Sequence, residues 1–153
     1  MGLIAMEAGR AELAACQQTL RIIWLAMAAA VATYAVVLLA VLGPETVPPD
    51  AQAELLHNAL TVAGIAVGAV SMWWHRRFLG HDQEAPGLTL ARLRSSAIVV
   101  WALSEAVALV GFVLAILTRN AWEFMPFGLA SVALLVLHHP FRLPYERVST
   151  REA

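Results

Sequence analysis

A single acid, Glu105, lies inside an otherwise apolar run of 21 residues at 97–117. A helix over that run rises about 31 Å, close to the hydrocarbon thickness of a bilayer, and puts Glu105 roughly 12 Å from the Ala97 end. Placing an acid near a helix centre in lipid costs about 2.5 to 3.5 kcal/mol, so such a group faces other helices or water, or lies on an ion path. The chain is thereby restricted to folds that bring a partner to this carboxyl.

Three further apolar runs, 22–42, 59–74 and 122–137, accompany the first. The chain is 60% hydrophobic and only 14% charged, whereas an ordinary soluble domain is about 25% charged. The fold class predicted is all-α: an integral membrane bundle of four transmembrane helices. The runs at 59–74 and 122–137 sit near the lower length limit for a span, and tilted or re-entrant elements are the alternatives there. Residues 1–21 form an N-terminal segment read as a short helix leading into the first span, 22–139 the membrane domain, and 140–153 a tail.

The basic residues set the expected orientation. Arg10, Arg21, Arg76, Arg77, Arg92, Arg94, Arg142, Arg147 and Arg151 fall on the N-terminus, the middle loop and the tail, while Arg119 alone falls on the other two loops. The positive-inside rule places both termini in the cytoplasm, and the expected location is a bacterial inner membrane. The first outer loop agrees, with Glu45, Asp50 and Glu54 and no basic residue. A net charge of −1 and the lack of a basic stripe away from the membrane flanks exclude a nucleic-acid partner. Cys16 is the only cysteine, so no intrachain disulfide forms. Glu7 and Glu12 at the N-terminus do not fit a cleaved signal peptide, and Met6 breaks the myristoylation pattern begun by Gly2.

The turns and tryptophans complete the layout. Gly43-Pro44 ends the first span. Residues 118–121 leave so little chain that the third and fourth spans are antiparallel neighbours, with Pro126 tolerated in the first turn of the fourth. Trp24, Trp73, Trp74 and Trp101 lie toward one interface and Trp122 toward the other, an aromatic belt; ring-lined binding is the competing reading. Arg119 and Glu123 are spaced to pair across the outer turn.

Small residues at helical spacing mark where helices meet, because association in lipid relies on close backbone approach and interhelical hydrogen bonds. On the second span His57, Thr61, Gly64, Gly68 and Ser71 form one seam. On the third, Ser104, Ala108, Gly111 and Ala115 form another. On the first, Ala26, Ala30, Thr33 and Ala40 share a face with Tyr34 beside it, and the fourth offers Gly128 and Ser131. Glu105 lies about 100° from Ser104 and borders the third-span seam. One reading makes it a packed group bonded to Thr33, Tyr34 or a freed carbonyl. The other makes Glu105 a reversible proton or cation site, with Thr33, Tyr34 and Ser104 as candidate companions.

The stretch from Glu105 through Gly111 to Ala115 resembles the ion-carrying helix of the rotary ATP synthase proteolipid, the c subunit, in which a membrane-embedded acid is followed by Ala and a Gly-containing apolar run. The order of elements is similar too: a helix with Gly64 and Gly68, a loop with Arg76 and Arg77, then the acid-bearing helix. That likeness covers about a third of the chain and implies a proton- or sodium-binding role for Glu105. The chain as a whole resembles small four-helix bacterial membrane proteins whose third span carries an Ala-Leu-x-Glu-Ala-x-Ala-Leu-x-Gly motif, here Ala102 to Gly111. That resemblance carries no biochemical function with it.

Other chemistry is thinly represented. His75, His81, His138 and His139 map to the cytoplasmic side, but their spacing does not make a metal site, and neither metal nor cofactor is expected. Ser104 and Glu105 point to different azimuths, and no histidine is expected at their depth, so an enzyme is not expected. The functional expectation is a non-catalytic packing or accessory subunit, in contact with membrane lipids and assembled as a homo- or hetero-oligomer. The alternative is a proton- or cation-translocating proteolipid-like subunit using Glu105.

Overall fold

The computed structural model describes residues 2–43, 51–79 and 89–145, with side chains described at 9, 11–43, 54–79 and 89–145. Among these residues four α-helices follow one another: α1 Gly2–Leu42, α2 Ala51–Phe78, α3 Leu90–Thr118 and α4 Phe124–Leu137. Short 3-10 turns stand at Ala121–Glu123 and Pro140–Arg142, and no strand is present among the described residues. All four helical segments are long and apolar enough to cross a membrane. The acidic loop with Glu45 and Asp50, the middle loop with His81, and Arg147 and Arg151 lie outside the described residues.

Helix ends are set by local chemistry. Thr89 caps α3, its hydroxyl accepting from the Arg92 amide at 3.2 Å, a contact of about 1 kcal/mol. Gly43 closes α1 at φ +69, a conformation that glycine adopts freely. α3 ends on Arg119 at φ 51, the one non-glycine residue in the left-handed region among those described, and the Asn120 amide bonds back to the Ala115 carbonyl at 3.0 Å. Asn120 then caps the next turn through its side chain, accepting from the Trp122 amide at 3.1 Å. This compact corner turns α3 into α4 as an antiparallel hairpin.

α3 is the axis of the bundle, packed by α1, α2 and α4 together. Its buried residues include Leu93, Ala97, Val100, Trp101, Ser104, Ala108, Gly111, Leu114 and Ala115, so the small-residue seam read from the sequence faces inward. Ala108 and Ala115 are fully buried and allow α1 and α4 to approach. On the α2 side a second cluster joins Val107, Leu114 and Phe127 to Leu60, Val67, Val110 and Leu134.

α1 has 41 residues and is about 61 Å long, twice what a bilayer core requires. The stretch ahead of the apolar run at 22–42 is therefore part of the same continuous helix. There Cys16 and Leu20 pack with Leu79, Leu93, Leu143 and Tyr145, so the segment after α4 folds back on α1. The Arg21 guanidinium lies over the Phe141 ring at 4.5 Å, and His139 stacks on Phe141 and meets Trp24 edge-on. We call this end of the bundle the arginine-rich end, and the opposite one, with the α3–α4 corner, the turn end.

Candidate functional site

Two polar sites lie back to back on α3. Ser104 and Glu105 are successive residues, so a helix points them about 100° apart, one toward α2 and α4 and the other toward α1. The expected divergence of these two side chains is what the structure contains.

The Glu105 site is an α1–α3 contact. The Tyr34 hydroxyl donates to Glu105 Oε1 at 2.6 Å, and the Tyr34 ring leans on Phe112 with centroids 5.3 Å apart. Both residues are half-buried. The length suits an O–H donor on a carboxyl oxygen, a short and strong class of hydrogen bond. Of the companions expected for Glu105, only Tyr34 is brought to it. Thr33 is exposed and its hydroxyl bonds back along α1 to the Ala29 carbonyl at 2.9 Å. That self-bonding is the ordinary way for a lone threonine to satisfy itself on a helix surface.

The Ser104 site joins three helices. Ser104 Oγ donates to the Val100 carbonyl at 2.8 Å, lies 3.2 Å from Ser71 Oγ of α2, and stands 3.4 Å from Nδ1 of His138 at the end of α4. Ser71 and Ser104 are fully buried and His138 is 3% exposed. The His138 ring lies against that of His75 with centroids 4.5 Å apart. A histidine therefore does sit at the depth of Ser104, contrary to the sequence expectation. The reason is the length of α4: it has 14 residues and runs back antiparallel from the corner, so it ends level with Ser104 rather than at the Leu90 end of α3. Ser131, fully buried, has no hydrogen-bond partner for its hydroxyl among the described residues.

Four of the five tryptophans divide into two groups, and Trp74 is half-buried against Phe78. Trp73 and Trp122 are more than half exposed, as interfacial rings should be. Trp101 is fully buried and donates from Nε1 to the His138 carbonyl at 2.7 Å, while Trp24 donates to the Leu135 carbonyl at 3.0 Å. These two are not belt residues. They satisfy carbonyls at the C-terminus of α4, where Pro140 has no amide to offer and the His139 amide turns back to Val136 at 3.3 Å.

The α2 seam is divided as well. A Cβ on Gly64 would meet Phe127 Cε1 at 2.7 Å, and one on Gly111 would collide with the base of the same ring, so Phe127 occupies a notch cut by two glycines on two helices. Gly68 is different: a Cβ there would meet only Leu134 and Val107, at 3.8 and 3.9 Å. Ser71 belongs to the three-helix polar junction described above. Glu123 pairs with His57 Nδ1 at 2.9 Å and so links α2 to the α3–α4 corner, the role expected for Arg119 being taken by the histidine. Arg119 is instead consumed as the left-handed cap residue of α3. Among the described residues no cluster of three or more metal-ligating side chains occurs.

No family model, no curated protein and no solved structure matches this chain.

Proposed function

We propose that the chain is a multi-pass protein of the bacterial cytoplasmic membrane, both termini inside, that works as a non-catalytic packing subunit of a membrane oligomer or larger complex. The arginine distribution supports the orientation, because the arginine-rich end carries Arg21, Arg76, Arg77, Arg92, Arg94 and Arg142. The observation that carries the packing role is the use made of Glu105, which links α1 to α3 through Tyr34. The serine–histidine pair supports the same reading. Ser104 is fully buried and already donates to the backbone, which leaves a substrate no approach to it. α1 and α2 meanwhile present wide apolar faces outward, with Val36, Leu39, Val62 and Ile65 all more than half exposed.

Extraction of the protein with its native lipids in polymer-bounded discs tests this, with particle mass as the readout. Particles heavier than one chain plus its lipid annulus are expected, with a fixed stoichiometry. Monomers at every expression level and polymer ratio would contradict the proposal.

A second reading has its own observation. Glu105 is only half-buried, and a phenol at 2.6 Å is a suitable companion for a carboxyl that loads and releases a proton. On that reading a carboxyl-reactive carbodiimide labels Glu105, and Glu105→Gln abolishes proton flux in vesicles while leaving assembly intact. Absence of labelling together with unchanged flux would remove it.

A further inference from the structure

α2 and α4 are clasped at their two ends, and between the clasps they meet through side chains, the Phe127 ring of α4 lying on Gly64 of α2. At the turn end the His57–Glu123 pair closes the gap at 2.9 Å, and toward the arginine-rich end the His75 and His138 rings close it again. Between the two clasps a cleft of ≈ 390 Å³ runs along α2, open on its flank and floored by Val107 of α3 and the Phe127 ring. Its walls are Thr61 and Gly68 on one side and Ala130 and Leu134 on the other. Apart from Thr61, its polar character is confined to the His57 end, where the imidazole is 42% exposed and the Glu123 carboxylate 26%.

We propose that this cleft holds one acyl chain of a zwitterionic glycerophospholipid from the leaflet at the turn end, with its headgroup at the His57–Glu123 pair. Three observations select that occupant. The rise from His57 to Gly68 is roughly 16 Å, half the ~30 Å hydrocarbon core, so the cleft is as long as one leaflet is deep and too short for a crossing helix. Along that length the lining is apolar save for Thr61, which suits a hydrocarbon chain. The mouth, finally, sets an imidazole beside a carboxylate, the complement of a phosphate joined to an ammonium group. Gly68 is what keeps the cleft open, since a side chain there would enter it without striking backbone.

The inference rests on the membrane reading above, and its test separates the two. The full chain is reconstituted into vesicles of phosphatidylethanolamine and phosphatidylglycerol, the former carrying a mid-chain diazirine, and insertion is checked by resistance to alkaline extraction. After photolysis, adducts are expected on Val107 and Leu134 well above those on Val36 and Leu39 of the open α1 face. Gly68→Leu should lower the cleft adducts several-fold while the α1 adducts and the melting temperature hold. His57→Ala should lower them for the phosphatidylethanolamine probe and not for a diacylglycerol carrying the same diazirine. Equal labelling of cleft and α1 face, or no response to Gly68→Leu, overturns the lipid site while leaving the membrane reading standing. A disulfide between Ala130→Cys chains of two copies would assign the cleft to self-association and overturn it equally. Loss of the protein to alkaline extraction would overturn both.

Discussion

The Tyr34 hydroxyl and Glu105 Oε1 are 2.6 Å apart, on different helices and 71 positions apart in the chain. A carboxyl in so apolar a helix is expensive to leave alone, and here a phenol from α1 meets it. Since α1 is anchored elsewhere on α3 mainly by apolar contacts such as Val31 and Leu38, this bond fixes the azimuth at which α1 docks.

Trp101→Phe removes the indole donor while keeping most of the ring volume. The His138 carbonyl then lacks its partner at a buried helix end, a loss of about 1 to 3 kcal/mol. Trp73→Phe, at a ring 57% exposed, should change stability by less than about 0.5 kcal/mol. Thermal unfolding in detergent, followed by helical circular dichroism, compares the two. Equal effects would return Trp101 to the interfacial belt.

The glycines should separate in the same assay. Gly111→Ala and Gly64→Ala each drive a methyl into Phe127, and overpacking of this kind costs about 1 to 3 kcal/mol. Gly68→Ala meets only ordinary contacts and should be close to neutral. A loss at Gly68 as large as that at Gly111 would show that the seam is used evenly along its length.

Much of this architecture was legible beforehand. The apolar runs gave the helices, since a bilayer demands both length and apolarity, and the inward face of Ala108, Gly111 and Ala115 followed from spacing. The partner of Glu105 was legible only as a choice, because Thr33 and Tyr34 are adjacent on α1 and only Tyr34 turns toward α3, Thr33 being exposed. The roles of Trp101 and His138 were hidden, because they depend on where α4 stops relative to α3. One signal was available. In a helix closing on His138-His139-Pro140 the His139 amide turns to Val136 in place of the amide proline lacks and leaves Leu135 open, so indole donors at matching depth were candidates for the last carbonyls.

Tyr145 gives a pH signature. Burial against α1 pushes its phenol up to about 12, with Cys16 adding to the rise and Arg21 opposing it. The folded state thus holds this proton more tightly than the unfolded chain, whose tyrosine titrates near 10. The associated stabilisation is complete below pH 10 and disappears as pH climbs toward 12. The chain has two tyrosines, so Tyr34→Phe leaves Tyr145 alone in an ultraviolet titration. A midpoint near 12 is expected, and one near 10 would mean that the tail is undocked.

The central claim is that Glu105 serves to bind α1 to α3, and a double-mutant cycle measures it most directly. Tyr34→Phe, Glu105→Leu and the double variant are unfolded thermally in the same detergent alongside the parent chain, leucine being chosen because glutamine would still accept from the Tyr34 hydroxyl. The account predicts a coupling of about 0.6 to 1.7 kcal/mol, the range of strong interhelical hydrogen bonds in membranes, so that the second substitution adds little to the first. Strictly additive losses, with no coupling between the two positions, would contradict it.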